Sequence, residues 1–542
     1  MTLLMSFALA LFLATVLMPL VVRLAPHMGL LDQPTEARKM HAQAIPRVGG
    51  IAIFLGCAFA LLIDYPAAEQ YFVFFATATA VVLLGLLDDI FDLHFSLKFA
   101  GQFIAAISFV YGVGGFIQLP FLGLDPAPAW IAAVLSVVFI VAITNAVNLS
   151  DGLDGLAAGN SLLSLVLLSL LALQALDANT AILGITLAGG LVGFLRSNTH
   201  PARAFMGDSG SQFIGYSVAC ITIIILRNES SAFSPVLPLL ILGLPILDTV
   251  SVMGVRFVRK RPIFRADKSH IHHQLLQMGF KHYEVVFILY GLQLTLVALA
   301  YYLRFAEDLV LVVSYLVFCT IVLGAVLQGR INNWTVRKHD GLETNGNKRN
   351  LWIRKIGWLY PHSDTLVASC LAVFFVGGAL VLNKNWFDVN QFGLATTTGL
   401  LTFWILFRDK YEWATRIIVV VGCVFVLAGF LMNENLEPQI SQMLNVYLLV
   451  LALLLVLAIR ITRKEHFRLD NQDFLVLGLM LVVPRLPVGG IDTDLLSRGV
   501  LSFAVLLYAV EFLLGRATKP RRWLNYASLF SILLVGSSLE FL

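Results

Sequence analysis

Charge is what this 542-residue chain has least of: Asp, Glu, Lys and Arg together make up 13% of it, about half the share found in an ordinary soluble domain. Too few polar residues remain to cover a water-exposed surface around a chain of this length, which excludes a soluble enzyme. Cysteine is nearly as scarce. Cys57, Cys220, Cys319, Cys370 and Cys423 each sit alone inside an apolar run, with neither the paired spacing of a zinc site nor a disulfide framework. Charge of one sign is not in excess either, because 37 basic residues face 33 acidic ones for a net +4, and that balance gives no support to a nucleic-acid binder. The N-terminus, MTLLMSFALALFLATVLMPLVVRLA, has no basic leading region and no small-residue cleavage site, so it reads as a retained first span and not as a signal peptide.

What fills the chain is apolar sequence: 58% of positions are hydrophobic, and mean hydropathy is +0.85. Runs of about 18 to 24 apolar residues recur end to end, the length of a helix that crosses a bilayer. They place spans near 2–22, 48–63, 71–87, 99–119, 129–147, 155–174, 179–195, 211–226, 234–255, 284–303 and 309–327, with seven more between 365 and 541. The expectation is an all-α polytopic membrane protein of about 18 spans with its N-terminus outside. That orientation puts all the Lys and Arg except Arg227, Arg304, Lys384, Arg485 and Arg498 in cytoplasmic loops, as the positive-inside rule requires. The polar stretch 328–364 marks a boundary. It separates an eleven-span domain, 1–330, by way of a linker at 331–364, from about seven spans in 365–542, with no internal repeat between the two parts.

Ionisable groups retained by a membrane protein point to function, and here they cluster. LLGLLDDIFDLHFSLK carries Asp88, Asp89 and Asp92; on a continuing helix Asp88 and Asp92 share a face, and several carboxylates in one place call for a cation or a shared proton. In TNAVNLSDGLDGLAAG, Asn148, Asp151 and Asp154 recur every three residues, a stripe along one side of a helix. FLRSNTHPARAFMGDSGSQFIG leads Gly207, Asp208, Ser209, Gly210 and Ser211 straight into a helix. Free N–H groups there suit a phosphate, and Asp208 beside it suits Mg²⁺, while Asn198 and Arg203 of the same loop are placed to contact phosphate or sugar. The loop RFVRKRPIFRADKSHIHHQLLQMGFKH holds His270, His272 and His273 beside Arg265, Asp267 and Lys268, weak as a zinc motif and better suited to a polar wall for a diphosphate. A fifth patch supplies Asp32, Arg38, Lys39, His41 and Arg47 ahead of Gly49 and Gly50. All five fall on the expected cytoplasmic side. Together they make one site for a Mg²⁺-dependent reaction between two anionic phosphates, one of them on a lipid.

In this order, DDIFD, NLSDGLDGLAAG, N-x-x-P-A-x-x-F-M-G-D-S-G-S and ADKSHIHHQLLQMG closely resemble the polyprenyl-phosphate N-acetylhexosamine-1-phosphate transferases, over about residues 30–330. The HIHHQL form resembles the bacterial members that start O-antigen, enterobacterial common antigen or teichoic-acid linkage assembly; Ile271 breaks the three consecutive histidines typical of the phospho-MurNAc-pentapeptide branch. The resemblance implies transfer of a sugar 1-phosphate, most simply GlcNAc-1-phosphate, from a UDP-N-acetylhexosamine to undecaprenyl phosphate in the bacterial inner membrane, with UMP as the other product. It implies Mg²⁺, or Mn²⁺ in its place. By motif position, Asp208 resembles the principal metal ligand, with Asn148 or Asp151 close to the metal. Asp88 and Asp89 match a pair that deprotonates or orients the lipid phosphate. Lys98 and Asn198 match positions near the diphosphate, Asp154 a uracil-side position, and Arg265, His270 and His272 the sugar-nucleotide loop.

Beyond about residue 330 nothing resembles that family, and the extra spans read as an oligomerisation or docking module or as a stabilising appendage. Two other classes compete. An aspartate-rich prenyltransferase would explain DDIFD alone and needs a second such motif. A transporter would place its charges near mid-membrane on broken helices.

Overall fold

The computed structural model describes residues 2–32, 44–64, 69–114, 128–228, 232–258, 260, 270–332 and 334, then 363–382, 438–462, 522–538 and short pieces between 397 and 513. The chain divides into two compact units, Met1–Asp340 with Asp470–Val482, and Gly341–Leu469 with Val483–Leu542. The first contains α1 (Thr2–Met28), α2 (Gly49–Asp64), α3 (Glu69–Phe91), α4 (Phe95–Val113), α5 (Ala129–Ser150), α6 (Leu156–Gln174), α7 (Ala178–Asn198), α8 (Gly207–Arg227), α9 (Pro238–Ile241), α10 (Gly243–Val258), α11 (Ile271–Gln277), α12 (His282–Tyr302) and α13 (Asp308–Ile331). A two-residue antiparallel pair, β1 (Leu31–Asp32) with β2 (Ile45–Pro46), joins α1 to α2. Among the described residues eleven helices are long and apolar enough to cross a membrane, so the protein is an all-helical polytopic membrane protein. In the second unit, Phe374, Phe375, Leu451, Phe512 and Val535 belong to one apolar core, built around Ser363–Leu382, Pro438–Thr462 and Arg522–Ser538. The spans expected at 391–407, 413–432 and 472–484 fall wholly or largely outside the described residues, and the one expected at 497–514 is described only in part.

Helices α6, α7 and α8 fill the interior of the first unit, and α1, α4 and α13 lie at its periphery. In a bilayer the hydrophobic effect does not draw helices together, so close approach depends on small residues. A Cβ at Gly189 would lie 2.3 Å from the Phe7 carbonyl oxygen, and one at Gly85 only 2.4 Å from Ser209 Cα. At those points α7 presses on α1, and α3 on α8, backbone to backbone.

The single span expected over 234–255 is instead two helices, α9 and α10, broken at Leu242. Pro245 is the reason. Lacking an N–H, it cannot bond the Ile241 carbonyl four residues back. That carbonyl is satisfied from elsewhere, accepting from Ser164 Oγ at 2.8 Å and Gln293 Nε2 at 2.8 Å.

Candidate active site

Four helix ends converge at one end of the first unit. Asp88 and Asp89 lie in the last turn of α3, Lys98 in the first turn of α4, Asn148 in the last turn of α5 and Asp208 in the first turn of α8. Lys98 bridges two of the carboxylates, its Nζ 2.5 Å from Asp88 Oδ2 and 3.8 Å from Asp208 Oδ2. Asn148 Nδ2 donates to Asp208 Oδ1 at 2.7 Å and to Ser211 Oγ at 2.8 Å. Arg47 pairs with Asp32 and reaches to 4.0 Å from Asp89 Oδ1. Asp151 caps α5. Burial, followed by the charges of Asp208, Asp154 and Asp89, pushes its carboxyl up to about 7, with Arg47 acting the other way. The sequence motifs therefore do meet in space, but several do so in ways that their spacing misstates.

Asp88 and Asp92 do not share a helix face. The helix ends at Phe91, and Asp92 takes up a left-handed conformation (φ +48°), which short polar side chains tolerate at a helix end. Asp92 is exposed, whereas Asp88 is buried and accepts from Leu93 N at 3.0 Å. Nor do Asn148, Asp151 and Asp154 form a helical stripe. Helix α5 stops at Ser150, and α6 restarts after Gly155 at φ +81°. Asn148 and Asp151 stay with Asp208, while Asp154 turns away and meets His200 Nδ1 at 2.7 Å.

Two N–H groups at the start of α8 are already engaged within the protein. The Asp208 and Ser209 N–H groups both donate to Asp89, at 3.0 and 3.1 Å, so a protein carboxylate already occupies the positive end of the helix. Asp89 accordingly anchors α8 to α3. Asn198 is 2% exposed; it accepts from Gly155 N at 2.9 Å and donates to the Ala204 carbonyl at 2.9 Å, which ties the α5–α6 loop to the loop before α8. Asn148 presents its amide nitrogen to Asp208 and Ser211, both acting as acceptors, and so orients Asp208.

His270 and His272 are buried. His270 Nδ1 lies 2.7 Å from Asp248 Oδ2, and Ile271 N donates to Asp248 Oδ1 at 2.8 Å. Asp248 belongs to none of the sequence motifs, although a carboxylate inside an apolar run is itself a signal. A Cβ at Gly152 would lie 2.4 Å from His272 Nε2, so the first glycine of the tandem Asp-Gly pair is what lets the histidine loop press against the aspartate loop. Burial holds the His272 imidazole neutral, its pKa lowered to about 3. The sequence also gave no warning of Tyr290, whose hydroxyl donates to the Gly155 carbonyl at 2.6 Å. Arg265, Arg38, Lys39 and His41 lie outside the described residues.

Comparison with known proteins agrees with this convergence. A family model described as Glycosyl transferase family 4 matches residues 71–226, the stretch that holds every carboxylate of the cluster. The probable undecaprenyl-phosphate N-acetylglucosaminyl 1-phosphate transferase of Bacillus subtilis (strain 168) is 36% identical over 289 residues, 53% of this chain and 80% of the relative. The decaprenyl-phosphate N-acetylglucosaminephosphotransferase of Mycobacterium tuberculosis (strain ATCC 25618 / H37Rv) is 34% identical over 49% of this chain and 74% of its own length. The undecaprenyl-phosphate alpha-N-acetylglucosaminyl 1-phosphate transferase of Escherichia coli (strain K12) is 31% identical over 54% of this chain and 83% of its own length. With four fifths of a relative covered and the carboxylates gathered at one end of the bundle, the chain belongs to glycosyl transferase family 4 and is homologous, over about half its length, to the polyprenyl-phosphate N-acetylglucosamine-1-phosphate transferases.

Proposed function

We propose that the protein transfers N-acetylhexosamine 1-phosphate, GlcNAc-1-phosphate being the first choice, from a UDP-sugar to undecaprenyl phosphate, giving undecaprenyl-diphospho-sugar and UMP. The site faces the cytoplasm, the N-terminus lies outside, and the reaction is the first membrane step of a bacterial cell-surface polysaccharide. The observation that carries the reading is the convergence of Asp88, Lys98, Asn148 and Asp208 from four helix ends.

Two substrates with about two negative charges each repel strongly in a medium of low dielectric, so the main task is to neutralise and align them. Lys98 has its ammonium between Asp88 and Asp208, where it can turn toward an arriving phosphate. Arg47, already shared between Asp32 and Asp89, supplies a second cation. Asp88, engaged by Lys98 and by Leu93 N–H, orients Lys98; a phosphate dianion is a competent nucleophile near neutral pH without a protein base. The acceptor phosphate oxygen attacks the β-phosphorus of the UDP-sugar, one phosphoanhydride forms as another breaks, and UMP departs.

The donor set fits Mg²⁺. Asp88, Asp89, Asp151 and Asp208 outnumber the cations Lys98 and Arg47. Oxygen donors in this number suit a hard dication. Asp208 and Asp151 would hold it, with Asn148 fixing Asp208. Bound there, the ion would supply charge neutralisation to the phosphates and to the departing UMP.

Isotope exchange tests the reaction. Because one phosphoanhydride replaces another, the equilibrium lies within a few kcal/mol of balance and the reverse direction is open. Labelled UMP should enter the nucleotide-sugar pool only when undecaprenyl phosphate or its diphospho-sugar product is present, and EDTA should stop it. Release of inorganic diphosphate without UMP exchange would make the protein a prenyltransferase instead.

A further inference from the structure

Beneath the carboxylate cluster lie three carboxamides, one on each of the helices that carry Lys98, Asn148 and Asp208. Gln102 follows Lys98 on α4 by four residues, Gln212 follows Asp208 on α8 by four, and Asn145 precedes Asn148 on α5 by three. Helices α4 and α8 start at the site and α5 ends there, so all three carboxamides lie about one turn, roughly 5 Å, deeper in the bundle and on the same helix faces as the site residues. They are joined in a ladder. Asn145 Nδ2 donates to the Val141 carbonyl at 2.7 Å and to Gln102 Oε1 at 2.6 Å, and Gln102 Nε2 donates to Gln212 Oε1 at 3.0 Å. The Val141 carbonyl can only accept, which fixes the direction of every bond after it. Gln102 and Gln212 are buried, and polar side chains inside a membrane span are retained at a cost that calls for a role.

We propose that Gln102 is a positioning residue for Lys98, holding the start of α4 to α5 and α8 through Asn145 and Gln212. The other helices of the site have closer ties. A Cβ at Gly215 of α8 would lie 2.8 Å from Thr144 Cα of α5, and the α3–α8 contact at Gly85 is of the same kind. The glycines of α4 that approach a neighbour, Gly101 and Gly112, face the side chains of Leu84 and Val73 on α3 instead. Helix α4 therefore reaches α5 and α8 through side chains, and Gln102 uses both ends of its amide to do so. The next tie lies a turn deeper, where the Tyr216 hydroxyl donates to the Ala105 carbonyl at 3.3 Å, so the Gln102 rung is the one nearest Lys98. Without it, the start of α4 is free to shift, and the Lys98 ammonium moves from its place between Asp88 and Asp208. What Lys98 does for the reaction rests on the transferase reading; that Gln102 places it rests on the geometry alone.

A double-mutant cycle on the full chain tests this. Gln102→Met keeps the length and unbranched shape of the side chain and removes both bonds, and UMP exchange at saturating substrate should fall by about tenfold, within the range that a displacement of about 1 Å produces. In a Lys98→Met background the same substitution should cost less than about twofold, because the group that it positions is already gone. Gln293→Met on α12 removes a buried glutamine that ties Ser164 and the Ile241 carbonyl, away from Lys98, and whatever it costs should be equal in the two backgrounds. A second measurement needs no activity. Reductive ¹³C-methylation keeps the lysine charge, and the methyl resonance of Lys98, assigned by its absence from Lys98→Arg, should shift in Gln102→Met and in Gln212→Met but not in Gln293→Met. An undiminished loss in the Lys98→Met background, or a Lys98 resonance unmoved in both ladder variants, would overturn the proposal while wild-type UMP exchange left the transferase reading standing. Failure of wild-type exchange would overturn that reading, and the resonance would still decide whether Gln102 places Lys98.

Discussion

Asp89 and Asp208 differ in what their charge does, although the sequence presents both simply as acids beside an apolar run. Asp208 is partly open and is held by Asn148 and Lys98, so Asp208→Asn removes charge at the reacting centre while keeping shape. Turnover at saturating Mg²⁺ should fall by about two orders of magnitude or more, the scale of losing one electrostatic stabiliser; near-normal turnover would remove Asp208 from the metal role. Asn198 makes the opposite case. Asn198→Ala leaves the Gly155 N–H and the Ala204 carbonyl without partners in a buried place, at about 1–3 kcal/mol for each group. A lowered thermal midpoint should accompany any loss of activity, and a variant of unchanged stability would show that Asn198 has some other role. His272 gives a pH dependence. Its folded pKa of about 3 lies below the usual 6.5, so between those values the unfolded chain takes up a proton that the folded one does not. The stability associated with His272 is therefore complete above about pH 6.5 and is lost as pH falls toward 3. The drop in thermal midpoint between about pH 7.5 and pH 5 should be smaller in His272→Gln than in the parent.

Between elements, the site depends on backbone contact more than on side chains. Gly85 brings α3 against Ser209 of α8 at a distance no side chain allows, and the same contact lets Asp89 accept the first N–H groups of α8. Gly85→Ala should force the two helices apart and loosen Asp208, at about 1–3 kcal/mol for the overpacking. Activity should fall although no functional group has been removed. Gly324→Ala on α13, where a Cβ would meet nothing within 4 Å, is the control and should be neutral or stabilising by up to about 1 kcal/mol. Equal effects of the two substitutions would show that the α3–α8 contact does not hold the site. The break between α9 and α10 was legible in principle, since Pro245 stands in the apolar run. Hydropathy alone passes over it, because proline interrupts hydrogen bonding without making the run less apolar.

For the whole molecule, every described residue of the cluster lies in the first unit, before Asp340, and the relatives cover about half the chain. A chain ending at Gly329 should therefore retain UMP exchange whenever it inserts and remains monodisperse; complete inactivity of such a chain would mean that the later spans complete the site or hold its shape. By itself the sequence determined the solvent, through the length of its apolar runs, and the chemistry, through which acids and histidines interrupt them. Those properties are local, set by composition over one helix length, and they survive without knowledge of neighbours. Only the tertiary structure decided which acid does what. Asp89 became a helix anchor, Asn198 a loop tie, Asp92 a solvent-exposed end, and Asp248 the partner of His270. Spacing along a chain fixes a shared face only while the helix continues. At Phe91 and at Ser150 the helices stop, and from there the partner of each side chain is set by which helix end packs against it.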